Sequence, residues 1–571
     1  MTGTILENLS NRKLFVVITI ILLIQIISFF VGAFIAPSPS NTEQLLAVKC
    51  IPEKSEEMSI PRYAIINGAI QTKKCKILSS VRQANSLNES LVFAFQMPLP
   101  REGTILDYSR WMSNLITILI PDMTYASWLS ATDFEKGDDY INGTVVMKVR
   151  LAVKNKGEQW IEYKRKDALK RHLNCRIPHD KRQDDQKYEC DLMQLFELQS
   201  LYYDYYLINL EFGGDLKMQD RHGYLTDLSL VAIHQNGGFT KVWLSMKTVF
   251  TTVTLMTLVW FCQRLRKVVR NITLLERMLV ILGCAVTQLN IPLEFFTLWF
   301  DIPFMNFLSD IRQGILYCAL LSFWIIFAGE HLMDEVHRSR ISSYYKQLSV
   351  ILVACIALFI FDSTERGIQW IDPFFSIWEV DTHLALIFII TASISAALYF
   401  AFLSYHIWLV LRNISSKQVS LPSMSSTRRL IYQGIIYRFK FLLLATLVCA
   451  ALTIIAYILG QVSEEAYQFE DEPYTAPLQW SSAMFTTVYA MWNCYIITLL
   501  ILYAPSHKWL GPHVDNMSEE IEFNRLTSND DRGEVNTELC SNDAGNSRVD
   551  KVEEESDMKL LQSLITKQNI D

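Results

Sequence analysis

Two kinds of hydrophobic pattern divide the chain. In the first, apolar residues run uninterrupted for long enough to cross a bilayer, which takes roughly 20 residues of helix. Eight segments meet or approach that length: 14–36, 242–262, 274–300, 311–329, 347–361, 383–411, 441–460 and 482–503. The fifth, from Leu348 to Phe361, is the shortest. In the second pattern, confined to residues 37–241, apolar and polar positions alternate with a period of two, the signature of half-buried strands. Met147, Val149, Leu151 and Val153 share one face of the stretch Thr144 to Lys154, while Lys148, Arg150 and Lys154 share the other. Tyr206, Ile208, Leu210 and Phe212 alternate with Leu207, Asn209 and Glu211, and Leu225 to Ile233 is a further β-rich run. Turn signals at Asn142-Gly143, Lys156-Gly157, Gly213-Gly214 and Asn236-Gly237-Gly238 separate these runs. The pattern predicts a multi-pass α-helical membrane protein of eight transmembrane helices, with an all-β, sandwich-like domain between helices one and two.

Charge orients the spans. Only 19% of the 571 residues are charged and 50% are apolar, against about a quarter charged in an average soluble chain. This composition excludes a disordered chain, a collagen, a small disulfide scaffold and a basic nucleic-acid binder. Cytosolic loops carry the Lys/Arg excess. With the N-terminus (1–13) inside and eight spans, the loop after the second holds Arg264, Arg266, Lys267 and Arg270 with no acid. The loop after the sixth holds Arg412, Lys417, Arg428, Arg429, Arg438 and Lys440, and that after the fourth is balanced. The inside loops total +10 and the opposite loops -11, the latter from Asp301, Asp310, Asp362, Glu365, Asp372, Glu379, Asp381 and the acids of 464–472 against Arg366. Seven spans would reverse this pattern, so both termini are expected in the cytosol and the β domain in the lumen. The first apolar run exceeds a signal-peptide core and lacks an A-x-A exit, which favours a retained anchor.

Four of eleven cysteines, Cys50, Cys75, Cys175 and Cys190, fall in the β domain, where an oxidising lumen allows three pairings. Cys50–Cys75 and Cys175–Cys190 are favoured because sequence neighbours close short loops. The sequons at Asn88 and Asn142 are the two that this topology exposes to glycosylation.

Chemistry-bearing groups are few. Lys247, Glu294 and Arg312 lie toward the lumenal ends of their spans and suggest a polar layer closing that mouth of the bundle. Snorkelling is the simpler account, above all for Lys247. Zincin, P-loop and nucleophile-elbow spacings are absent, and the lone histidines His331 and His406 suit helix–helix hydrogen bonding better than catalysis. No catalytic residue, cofactor or metal site is expected. Tyr432-Gln-Gly-Ile435, on a basic cytosolic loop, fits the Tyr-x-x-bulky pattern read by clathrin adaptors. Residues 504–571 hold 15 acids against 7 bases and read as a disordered acidic tail. Within it, Ser556 precedes Leu560 and Leu561 in a near-match to an acidic dileucine signal that phosphorylation would complete.

The sequence resembles the Wntless family of Wnt sorting receptors over nearly its whole length before the tail. The matching stretches begin with Gly3 to Ser10, Phe95 to Arg101, Leu106 to Trp111 and Ile233 to Phe239. They continue with Ser309 to Gly314, Phe327 to His331, Ser420 to Met424, Tyr437 to Phe441 and Tyr503 to His507. The resemblance implies that the last seven helices form a bundle like that of a G-protein-coupled receptor. It further implies palmitoleoylated Wnt proteins as cargo, with the acyl chain inside the bundle. Passage through ER, Golgi, plasma membrane and endosomes, aided by clathrin adaptors and retromer-type machinery, is also implied. The family's endocytic motif falls on Tyr432 and Ile435, with Gln433 where relatives often have Glu. The chain's last residues, Thr566 to Asp571, depart from the basic–acidic retrieval signal that ends some relatives. A seven-helix signalling receptor and a lipid-modifying membrane enzyme are the competing expectations. The first lacks Asp-Arg-Tyr, with Glu330-His331-Leu332 there instead, and lacks Asn-Pro-x-x-Tyr, with Tyr503-Ala504-Pro505 in its place.

Overall fold

The computed structural model describes residues 4–8, 11–52, 65–66, 69–70, 75–78, 91–98, 107–125, 140–178, 182–183, 186–212, 224–268, 271–330, 344–380, 382–420, 436–437, 440–453, 455, 458 and 480–506. The β domain comprises β1 (Ser40–Leu46), β2 (Val48–Pro52), β3 (Ile65–Ile66), β4 (Ala69–Ile70), β5 (Cys75–Ile77), β6 (Val92–Met97), β7 (Ser113–Thr124), β8 (Tyr140–Lys154), β9 (Ile161–Arg176), β10 (Lys187–Cys190), β11 (Met193–Ser200), β12 (Tyr205–Phe212) and β13 (Tyr224–Gln235). All pairing is antiparallel; β3 and β4 form a separate ribbon, and the remaining strands run β1-β13-β7-β10-β9-β8-β12-β6-β2-β5, with β11 also on β7. Strand β10 is the hinge of this order. Lys187 and Tyr188 pair with β7, whereas Glu189 and Cys190 pair with β9. The strands on either side therefore form two layers, which enclose one apolar core from Leu115, Leu119, Leu228 and Leu230 on one to Val149, Leu151, Phe93 and Ile208 on the other.

Local propensity yields to pairing at one position. Asn142-Gly143 is no turn; both residues lie inside β8, opposite Asn174 and Leu173 of β9. A long strand partner supplies ladder hydrogen bonds that two turn-prone residues cannot outweigh. The next signal does turn the chain, with Gly157 at φ +84° between β8 and β9, a conformation that suits glycine.

Besides the short turn Ile377–Val380, the described α-helices are α1 (Asn11–Phe30), α2 (Gly237–Arg266), α3 (Leu274–Asn290), α4 (Met305–Glu330), α5 (Tyr345–Ile371), α6 (Thr382–Ser420), α7 (Lys440–Thr453) and α8 (Trp480–Leu502). All but α7 are long and apolar enough to span a membrane, while α7 is a shorter apolar helix. Helix α2 starts earlier than its apolar run, because the Asn236 side chain accepts from the Gly238 amide at 2.8 Å and caps it. Thr273 and Glu276 form a reciprocal capping box on α3.

Two spans differ from expectation. The third does not run to residue 300 as one helix; α3 stops before Pro292, and Leu293–Leu298 continues as a 3-10 turn. The fifth is among the longer helices. It continues past Phe361 through Asp362, Glu365 and Arg366, where Arg366 pairs with Glu197 of the β domain and Glu365 accepts from Gln369 and from the Ile377 amide.

Helix α1 and the π-helical turn Val31–Ile35 that continues it pack along α8, closest at Gly32, where any Cβ would collide with Ala483 and Thr486. At the end of the bundle away from the β domain, Ile5 donates to Ala504 O at 2.9 Å and Leu6 is buried in the helical core. Arg264 reaches Pro505 O at 3.2 Å there. Two of the matching stretches, at opposite ends of the sequence, thus meet each other.

Candidate functional site

The three ionisable residues singled out in the spans converge. The cap at Asn236 sets the start of α2, and ten residues on Lys247 is buried inside the bundle instead of reaching out to an interface. The break after α3 turns Glu294 back toward it, and Lys247 Nζ meets Glu294 Oε1 at 2.5 Å. Arg312 of α4 lies 3.8 Å from the same oxygen. Both cations are almost fully buried, at 4% and 1% exposure. Two cations facing one carboxylate would be costly alone. Arg312, however, also donates to the carbonyls of Gln288 (2.9 and 2.6 Å), Leu289 (2.6 Å) and Ile291. The carbonyls of Gln288 and Leu289 lie in the last turn of α3, where intrahelical partners run out and the helix dipole is negative. Arg312 thus caps a broken helix and leaves Glu294 mainly to Lys247.

Uncharged groups extend the cluster into α8. Tyr489 donates to Asn290 Oδ1 at 2.7 Å, and Asn290 donates to Asn493 Oδ1 at 2.5 Å. Thr251 bonds the Asn290 carbonyl at 2.7 Å. Trp243 lies 4.6 Å from the Tyr489 ring and 5.8 Å from the Lys247 ammonium. One polar network therefore ties α2, α3, α4 and α8 together at the end nearest the β domain.

The β domain grips the same end at two places. Arg110 donates to Leu298 O at 3.0 Å, and Trp111 packs edge-on against Phe295 at 6.3 Å. The 3-10 turn that carries Glu294 is thereby shared between the domain and the bundle. The second grip is a plug. Between α5 and α6, the loop 372–376 inserts Phe374 into the β-domain core, where it stacks edge-on against Phe196 at 6.0 Å. Buried Arg171 of β9 donates to Phe374 O at 2.6 Å and to Gln194 O and Leu195 O of β11, closing the gap between the two layers. Glu197 accepts from Arg366 at 3.5 Å, Arg366 also pairs with Asp310 at 2.6 Å, and Lys166 pairs with Asp372. The free edge of β9 is covered where the His172 amide donates to Glu379 at 2.8 Å. Burial pushes the Glu197 carboxyl above its ordinary range, although Arg366 and Gln369 draw it back down. Burial lowers Arg171, against the pull of Glu379, Asp372 and Glu365.

Of the other sequence-selected residues, Cys175 and Cys190 are joined in a disulfide with opposed Cα atoms 4.0 Å apart. Cys50 is disulfide-bonded, and Cys75 stands on the adjacent strand β5. Asn142 is exposed. His406 faces Gln347 of α5 at 3.4 Å, a contact between helices. Asn88, Tyr432, Ile435, Ser556, Leu560 and Leu561 lie outside the described residues. Sequence reasoning missed Phe374, Arg171, Arg366, Asn290, Asn493 and Tyr489. Asn290 and Asn493 did carry a signal, as side-chain amides inside apolar spans.

An antiparallel β domain set into a multi-pass helical bundle, and locked to it at a shared turn and a plug, defines a class of polytopic membrane protein. Residues 236–507 match the Wntless-like transmembrane domain and residues 48–235 the Wntless GOLD domain. The chain belongs to the Wntless family. It is 42% identical over 562 residues to protein wntless of Drosophila mojavensis, covering 94% of this chain and 98% of that protein. Against protein wntless of Drosophila ananassae the identity is 43% over 561 residues, with the same coverage.

Proposed function

We propose that this protein is a sorting receptor that binds lipid-modified Wnt proteins in the secretory pathway and escorts them to the cell surface. Membership of the family over nearly the full chain carries this reading. The physical need is plain, because an acyl chain left in water forfeits ~0.8 kcal/mol per exposed CH₂. A secreted lipoprotein requires an escort that covers its chain, and a helical bundle in a bilayer offers apolar surroundings for one. In this reading the β domain faces the lumen and contacts the protein part of the cargo, and the acyl chain enters the bundle. The shared turn beside Glu294 links those two regions physically.

The carrier transfers no acyl group and cycles through ER, Golgi, plasma membrane and endosomes with both termini in the cytosol. Tyr432 and Ile435 recruit the clathrin adaptor for uptake, retromer-type machinery returns the receptor, and the tail around Ser556, Leu560 and Leu561 adds a second sorting contact. Asn88 and Asn142 carry glycans.

Depletion in Wnt-secreting cells followed by rescue with this sequence tests the assignment. Secretion should fall and then recover; normal secretion after depletion, or no recovery with correctly trafficked protein, would overturn it. Tyr432→Ala should hold the protein at the surface, as read by antibody uptake, and unchanged uptake would remove that motif.

A further inference from the structure

The charges of the β domain are segregated. The β8–β9 hairpin, residues 140–176, holds ten basic residues and three acidic ones, whereas the rest of 37–241 holds sixteen and twenty-three. Some of the hairpin's cations are used inward, Arg171 on carbonyls and Lys166 on Asp372. Others face away from the core. With Met147, Val149, Leu151 and Val153 buried, Lys148 and Arg150 project from the opposite face of β8. Arg165 lies directly across from Arg150 in the β9 register, and Lys170 lies across from Val146. These four form a strip about 13 Å long and one strand spacing wide.

Like charges set directly opposite destabilise a strand pair, so Arg150 facing Arg165 costs stability. Blunting an exposed edge with lysine is one ordinary reason for charge on a strand. It accounts for cations on β9, but not for those on β8, which is flanked by β9 and β12. Glu211 lies 3.9 Å from Lys148, and Asp167 lies 3.2 Å from Arg165. Arg150 and Lys170 have no ion-pair partner among the described residues. The side of β9 that meets the helix ends is already occupied by Asp372, Glu379 and the Phe374 carbonyl, so this strip does not serve the junction.

We propose that the outer face of β8–β9, through Lys148, Arg150, Arg165 and Lys170, binds a sulfated polysaccharide. A row of cations beside the half-buried Val146 offers no large aromatic anchor of the kind that protein interfaces use. An extended polyanion with closely repeated charges matches it without one. The choice of a polysaccharide rests on the reading that the β domain faces the lumen. Protease protection in sealed microsomes tests that sidedness separately from the strip.

The strip is tested on the full chain in detergent micelles with a fluorescent, size-defined heparin oligosaccharide, read by anisotropy. Binding should weaken steeply as salt rises. The triple variant R150S/R165S/K170S should bind about tenfold more weakly and K170S alone about twofold, each exposed contact contributing modestly. The control R266S/K267S, at the far end of α2, should bind like the parent. Intact mass with the Cys175–Cys190 bond retained, together with an unshifted thermal midpoint, establishes that the triple variant is folded. Unchanged affinity in the folded triple variant would overturn the proposal, as would equal loss in the control. Equal binding of a desulfated oligosaccharide or of polyglutamate would overturn it too.

Discussion

Helices α4 and α8 differ from α5 and α6 in what holds them. In the first pair about half of the most apolar stretch is buried inside the protein; in the second pair only about a tenth is. The first pair joins the Lys247–Glu294–Arg312 and Asn290–Asn493 network with α2 and α3. The second pair packs mainly on itself and on α4, and its connecting loop is seated in the β domain through Phe374. Polar contacts within the membrane hold one half, and a plug outside it holds the other. The α5–α6 hairpin is thus anchored in the β domain through its loop, while the α2–α3–α4–α8 half adds an internal polar network to its own contacts with that domain at Leu298 and Phe295.

Glu294→Gln should have the largest effect on this contrast. It leaves Lys247 and Arg312 buried without their carboxylate, a loss of about 3–5 kcal/mol that falls on the first half alone. Denaturant unfolding followed by hydrogen exchange in α2 and α3 reads it, and equal deprotection of α5 would erase the distinction. Lys247→Met combined with Glu294→Gln should recover part of the loss, a coupling that a double-mutant cycle measures.

Phe374→Ala comes next, at about 3–4 kcal/mol for an emptied aromatic site. Its deprotection should appear in β9, β11, α5 and α6 while the α2–α3 network stays protected. Arg171→Met should cost about 2 kcal/mol by stranding the carbonyls of Gln194, Leu195 and Phe374. The same elements should respond.

The smallest effect concerns pH. Because the folded protein raises the Glu197 pKa, its carboxyl binds protons more readily folded than unfolded. Its contribution favours folding below the ordinary carboxylate pKa and is lost as pH rises through the raised value. Glu197→Gln should flatten that part of the stability profile, and an unchanged acid-side slope would show that Arg366 fully compensates the burial.

Much of this architecture was legible in the sequence because the bilayer imposes long-range regularity. Span lengths, the alternation in β8 and β12, and the opposed charge of the loops all follow from segregating apolar from polar groups. Lys247, Glu294 and Arg312 stood out because ionisable side chains are rare in such segments. The plug was not legible. Phe374 between Pro373 and Phe375 reads like any interfacial aromatic, and only the gap between β9 and β11 gives it a role. Arg366 and Glu365 read as loop charges because their partners, Glu197 and the Ile377 amide, lie at positions that no local pattern connects. The capping of α3 by Arg312 needed the break at Pro292, which hydropathy passes over.

The origin of Phe374 also sets an order of events during synthesis. The β domain's last strand ends at Gln235, yet the side chain that completes its core is made 139 residues later, after α5. Until that helix has crossed the membrane and the loop has returned, the domain stands with an open apolar slot between β9 and β11. Its maturation therefore reports on insertion of the bundle. A chain whose later helices failed to insert would keep that slot open to the chaperones that recognise unfinished cores.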